Sequence, residues 1–247
     1  MSENYEKQVY LAMLAEQCSR YEDMINFLEE MIKLKVEDLS PDERNLLSIA
    51  YKNSISLRRT AIRTLLAYEN KEAKKSDSPY IDFIKEYKVK VFKELESVCN
   101  KIITTIDSYL LQKAADAEAK VFYNKMKGDY YRYVAENAED ELKKKYSELG
   151  LSAYNVAMEA GKELNYNNST LLGLALNLSV FCYEVLVNPT EAIRISKETL
   201  EKGKKELLGI DEDNEEYRDS ISIINLLQEN LNMWTMDNEN VICKVKK

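Results

Sequence analysis

"SPDERNLLSIAYKNSISLRRTAIRTLL", residues 40–66, decides the fold. It opens on a helix-start signature. Ser40 can accept a hydrogen bond from the N–H of Glu43, and Pro41 takes the first helical position, where a missing N–H is harmless. The helix begun there carries Leu46, Leu47, Ile49, Ala50, Ile55, Leu57, Ile62 and Leu65 on faces other than the one holding Lys52, Arg59 and Arg63. At about 100° per residue those three cations share one narrow stripe, with Arg59 and Arg63 each roughly 20° from Lys52, while Arg58 projects elsewhere.

The same grammar extends outward. The chain has 247 residues with only 6 Gly and 3 Pro. Strong helix formers dominate, and no sustained period-2 alternation appears. "NPTE" (188–191) repeats the cap logic with Asn188, and "SP" (78–79) suggests a third start with Ser78 as cap. The expectation is an all-α protein of about nine antiparallel helices, over 3–18, 21–35, 41–74, 79–109, 113–137, 141–164, 169–186, 189–207 and 214–235. Short linkers favour antiparallel neighbours. Nothing marks a domain boundary, so residues 1–235 read as one helical domain, with an acidic loop at 209–216 and a mobile tail at 236–247. "LLGLALNLSVFCYEVLV" (171–187) is the most apolar stretch. It is short and polar for a membrane span and reads as a central buried helix.

Composition excludes several functions. The formal net charge is −8, which argues against nonspecific nucleic-acid binding and against docking on anionic lipid. There is no histidine. Ser-His-Asp and Cys-His catalysis and His-ligated metal sites are thereby removed. Cys18, Cys99, Cys182 and Cys243 fit no zinc spacing. They read as three reduced core thiols and one tail thiol in a cytosolic protein. The N-terminus, "MSENYEKQVY", lacks a basic-then-apolar signal pattern. No catalytic residue, metal ligand or cofactor is expected.

A focused cationic row in an acidic chain invites an anionic ligand, although a solvated face with surface ion pairs is the blander alternative. "KVFYNKMKGDYYRYVAE" (120–136) supplies a second cationic segment. Arg132 follows Asp129 by three residues, so the carboxylate can hold the guanidinium from the adjacent turn. Tyr133 adds a hydroxyl beside it. Gly128 interrupts a good helix at a cost of about 1 kcal/mol relative to Ala, which a close helix–helix approach would explain. Guanidinium forks match a dianionic phosphate bidentately.

At these residues the sequence resembles the 14-3-3 family. "AEQCSRYEDM" (15–24), "ERNLLSIAYKN" (43–53), "KVFYNKMKGDYYRYVAE", "GLALNLSVFCYEVL" (173–186) and "YRDSISIINLLQENLNMWT" (217–235) are similar to family segments, in family order. The resemblance implies a cup-shaped dimeric subunit whose amphipathic groove holds an extended phosphoserine or phosphothreonine peptide. Its phosphate pocket carries over onto Lys52, Arg59, Arg132 and Tyr133, with Arg63 as a neighbouring groove arginine. Asn177 and Asn230 fall on the asparagines that bond the ligand backbone. Leu176, Val180, Ile223, Leu226 and Leu227 map to the groove wall, with Glu184 and Trp234 also at family positions. The spacing of Ile223, Leu226, Leu227, Asn230 and Trp234 suits one helical stripe, which could equally be packed against a neighbour.

For the dimer, the resemblance implies Leu14, Cys18, Arg20 and Asp23 of one subunit against Ala61, Tyr87, Lys90 and Glu94 of the other. Arg20–Glu94 and Asp23–Lys90 stand at positions of family ion pairs. The chain departs from the family where Ala61 replaces a phosphorylatable serine, Ile62 a tryptophan, Ser56 a glycine and Ser222 a groove leucine. Met233 and Gln228 also differ, and "VICKVKK" is not the usual acidic tail. The function expected is a phosphopeptide-dependent adaptor, not an enzyme. Its partners are phosphorylated client proteins and a second subunit, in a homodimer or a heterodimer with a paralogue, with no nucleic acid and no membrane insertion. Its compartment is the cytoplasm, with the nucleus as a second. The alternative is a phosphate-independent helical scaffold or holdase.

Overall fold

The computed structural model describes residues 2–75, 78–211 and 213–245, with side chains from Glu3 to Asp237 in those ranges. Among the described residues there are nine α-helices and no strand. They are α1 (Ser2–Gln17), α2 (Tyr21–Leu34), α3 (Pro41–Glu72), α4 (Ile81–Thr105), α5 (Ala117–Ala135), α6 (Asp140–Ala160), α7 (Ser169–Glu184), α8 (Pro189–Leu207) and α9 (Glu215–Val245). The chain divides into two compact units, Met1–Ala114 and Ala115–Lys247.

In the first unit α1 packs on α2, α2 on α3, and α3 on α4. The start of α3 is fixed by its sequence. Glu43 N–H donates to Ser40 Oγ at 3.3 Å, and the Ser40 N–H donates to Glu43 Oε2 at 2.7 Å. This reciprocal pair satisfies two otherwise orphaned donors. The third expected cap is corrected. The residue flanking α4 is Tyr80, without a side-chain cap. Ser78 lies too early to reach that first turn. Its hydroxyl donates to Glu72 at 2.6 Å instead and so ties the end of α3 to the following chain. Past Thr105, α4 widens into a π-helical turn over Ile106–Leu110. Residues 113–115, expected to begin the fifth helix, precede it. Lys113 Nζ donates to the carbonyls of Ile32 and Lys35 and so closes the C-terminus of α2.

The second unit is built around α7, which packs on α5, α6, α8 and α9. Leu171, Leu172, Leu174, Ala175, Leu178, Phe181 and Cys182 of α7 are all buried, which explains the apolarity of 171–187. No helix among the described residues is long and apolar enough to cross a membrane. Asp116, Asn168 and Asn188 cap α5, α7 and α8 through side-chain oxygens. The helix α9 runs on to Val245, past the 235 at which the sequence reading ends it. Lys246 and Lys247 of the expected tail, and the side chains from 238 onward, lie outside the described residues.

The cysteines need one correction. Cys99 and Cys182 are buried, and burial pushes the Cys182 thiol up to about 11. Cys18 is exposed, in the turn just past the end of α1. Cys243 lies outside the described side chains.

Candidate functional site

The cationic row exists within the first unit. Lys52 and Arg63 are exposed on α3, and Arg59 is half-buried on the same stripe. Lys52 and Arg63 make no hydrogen bond or ion pair among the described residues. The stripe is backed by the buried positions of the same helix. Leu47, Ala50, Tyr51, Ser54, Ile55 and Ile62 are buried there, and the Tyr51 hydroxyl donates to Glu29 at 2.9 Å. Arg58 points away from the row, as its angle predicts. It donates to Glu22 and to the Ser54 carbonyl, each at 2.9 Å, so it serves packing of α2 on α3.

The second unit holds a different kind of cationic site. Arg132 is almost enclosed on α5, with 9% of its side chain exposed. It donates to Glu136 at 2.7 Å, and its guanidinium carbon lies 4.6 Å from the centre of the Tyr133 ring. The expected hold by Asp129 is looser, at 4.0 Å. Glu136, one turn on, is the nearer partner, because Asp129 is already occupied. Its Oδ1 accepts from the Tyr154 hydroxyl at 2.6 Å and from Asn177 Nδ2 at 2.8 Å, and its Oδ2 accepts from Lys125 at 3.0 Å. Burial alone would push the Asp129 carboxyl up. The Lys125 and Arg132 charges, with the Tyr154 and Lys125 hydrogen bonds, outweigh it and hold the carboxyl below its ordinary value. Burial likewise works against the Arg132 charge, but Tyr154, Asp129, Tyr133 and Glu136 raise its pKa above the ordinary value.

Gly128 permits this arrangement. A Cβ there would lie 2.6 Å from two ring carbons of Tyr154, so only glycine lets α6 bring that phenol onto Asp129. Lys125, Tyr154 and Glu136 were not singled out from sequence. The glycine at 128 and the acidic residue one turn after Arg132 were the signals that could have found two of them.

The peptide-facing candidates divide. Leu176 and Ile223 are partly buried against one apolar cluster of Leu172, Leu200, Leu207, Ile224, Leu227 and Leu231, so α7 and α9 bring these two wall residues together. Val180 and Asn230 are half-buried, while Glu184 and Leu226 are exposed. Asn230 makes no hydrogen bond among the described residues. Leu227 is fully buried. Trp234 is 2% exposed and stacks on Tyr183 at 4.8 Å. These two belong to the core of the unit, and a side chain without surface cannot line a groove. Met233, next to Trp234, is exposed instead.

Among the expected dimer residues, Leu14, Cys18, Arg20, Tyr87, Lys90 and Glu94 are exposed, and Ala61 and Asp23 are partly so. Within one chain Arg20 bonds Asp23, and Glu94 lies 3.9 Å from Arg58. Lys90 and Glu94 line an open hollow of about 630 Å³ with Arg58, Glu86, Val89 and Lys93.

Comparison with known proteins gives a consistent result. A family model described as 14-3-3 protein matches residues 11–235. The chain is 44% identical over 239 residues to a 14-3-3-like protein of Solanum tuberosum, covering 96% of this chain and 92% of that one. It is 43% identical over 235 residues to the checkpoint signal transducer rad24 of Schizosaccharomyces pombe, covering 95% and 86%. It is 44% identical over 234 residues to the 14-3-3-like protein GF14 psi of Arabidopsis thaliana, covering 94% and 91%.

Proposed function

We propose, from the premise that the chain belongs to the 14-3-3 family, that it is an adaptor binding client proteins through phosphorylated serine or threonine in an extended segment. The observation that carries the reading is the family match across residues 11–235 together with the free charge on α3, where Lys52 and Arg63 stand exposed and unpaired among the described residues. In this reading Lys52, Arg59, Arg132 and Tyr133 take the phosphate and Arg63 a neighbouring part of the ligand. Asn177 and Asn230 bond its backbone, and Leu176, Val180, Ile223 and Leu226 offer apolar contact. A planar guanidinium suits two oxygens of one phosphate, and Arg132, already oriented by Glu136 and the Tyr133 ring, loses little freedom on binding.

The adaptor does no covalent chemistry. Two subunits, joined through Leu14, Cys18, Arg20 and Asp23 against Ala61, Tyr87, Lys90 and Glu94, would present two sites. A doubly phosphorylated client then gains avidity through effective concentration. The apolar members supply most of that association, since exposed ion pairs contribute little. The reading expects the cytoplasm and the nucleus as its compartments.

The test is calorimetry with one peptide in phosphorylated and unphosphorylated forms, on the native chain and on Lys52→Glu. The phosphorylated form is expected to bind, with the charge reversal weakening it by at least about tenfold, or ~1.4 kcal/mol. Equal binding of the two forms would overturn the reading.

A further inference from the structure

We propose that Asp129 is a positioning residue for peptide recognition: it takes one amide N–H of Asn177 and so fixes that amide with its carbonyl oxygen outward, as an acceptor for a backbone N–H of the bound chain. This rests on the phosphopeptide reading above and assigns a direction to one of its contacts.

Donor and acceptor capacity decide the orientation. An ionised carboxylate can only accept. Asp129 is 7% exposed and flanked by Lys125 at 3.0 Å, which favours its ionised form. Whatever amide group meets its Oδ1 must therefore be the NH₂ side, and Asn177 Nδ2 meets it at 2.8 Å. The Tyr154 hydroxyl holds the same oxygen at 2.6 Å, and the close approach at Gly128 holds the ring. The carboxylate is thus clamped from α5 and α6 before it touches α7. What remains of Asn177 is its second N–H and its carbonyl oxygen, which points away from the carboxylate. That oxygen has no partner among the described residues and is not among the enclosed unpartnered atoms. Asn177 is therefore a preset acceptor. Asn230, which makes no hydrogen bond among the described residues, can turn either group to a ligand.

Calorimetry with a phosphopeptide series tests this, each member carrying an N-methyl group at a different backbone amide near the phosphoserine. In the native chain one N-methyl position should raise Kd by roughly five- to tenfold, the worth of a hydrogen bond. Asn177→Ala should abolish that penalty. Asp129→Asn should also abolish it, with the side-chain volume kept. The single remaining oxygen of residue 129 goes to the charged donor Lys125, and its NH₂ then turns the Asn177 carbonyl inward. Penalties at the other positions and the preference for phosphorylated peptide should survive. An unchanged position-specific penalty in Asp129→Asn, with phosphate preference intact, would overturn this inference alone. A native chain indifferent to phosphate would instead sink the reading beneath it. A measurement on the unaltered chain stands apart from folding of any variant. By NMR, one side-chain amide proton of Asn177 should be protected from exchange with and without peptide, and two freely exchanging protons would refute the fixed amide.

Discussion

Replacing Gly128 by alanine tests the packing on which the second unit's polar cluster depends. The added Cβ would lie 2.6 Å from Cδ1 and Cε1 of Tyr154 and 2.9 Å from Cγ. An ordinary carbon–carbon separation is about 3.5–4.0 Å, so the ring must move by about 1 Å. Tyr154 is fully buried, and its hydroxyl is spent on Asp129 at 2.6 Å. Moving the ring off α5 stretches that bond. Overpacking costs about 1–3 kcal/mol. Weakening a hydrogen bond to a charged group costs up to about 1.5–3 kcal/mol. Relief of the helical glycine returns about 1 kcal/mol. Steric and hydrogen-bond terms win, and the net loss is about 2–4 kcal/mol. With a urea slope of about 2–3 kcal/mol/M, the unfolding midpoint should fall by about 1 M. The sign should reverse in a Tyr154→Ala background, where the methyl has room and only the helix-propensity gain remains. A midpoint unchanged or raised by Gly128→Ala in the native background would refute the reasoning.

Three further outcomes are expected. Ser40→Ala removes the acceptor for the Glu43 N–H and should cost about 1 kcal/mol in chemical denaturation. Val187, exposed between α7 and α8, has a φ of 51°, a left-handed conformation unfavourable to a β-branched residue by about 1–2 kcal/mol. Val187→Gly should therefore stabilise the fold by a net of about 0.5–1 kcal/mol after the entropy of glycine is subtracted, read as a raised thermal midpoint. The folded-state pKa of Asp129 lies below its ordinary 3.8. Its contribution is thus fully present above that value and is lost as pH falls through the lower folded one. The stability gap between the native chain and Asp129→Asn, followed by denaturant titration from about pH 6 to about pH 2, should close on the acid side.

Local and long-range signals in the sequence obey different physics. Helix starts marked by proline, at Pro41 and Pro189, were legible because cap and first-turn residues act within three positions. Asp116 and Asn168 cap by the same chemistry, yet no proline flags them. Ser78 carries the proline signal, but the helix starts later and the hydroxyl turned back to Glu72. The α9 stripe shows the limit of periodicity. One residue is about 100° of rotation. Leu226 is 47% exposed and Leu227 is not exposed at all. The stripe was visible, but which edge met the core depended on α7 and α8. The Asp129 cluster was hidden for a stronger reason, because its partners stand 25 and 48 residues away in the chain. Only the glycine at 128 hinted that something large came close.

The charge inventory of that cluster constrains how the site can work. Lys125 and Arg132 are matched by Asp129 and Glu136, all within ion-pair distance in the second unit. The group is formally neutral. Such a group is poor at offsetting a dianionic ester by itself, since each arginine–phosphate bond competes with a carboxylate already in place. A dianion on Arg132 alone would be left without net neutralising charge from this cluster. On α3, by contrast, Lys52 and Arg63 make no ion pair among the described residues. Under the reading proposed above, the two sets of residues would contribute different quantities. The α3 row would supply charge, and its loss should appear mainly as weaker affinity with a shallower salt dependence. The buried cluster would supply fixed directions for Arg132 and Asn177, and its loss should appear as lost discrimination between ligands of equal charge. A chain in which Lys52→Glu and Asp129→Asn produced the same pattern of losses across the N-methyl series would show that this separation of roles is wrong.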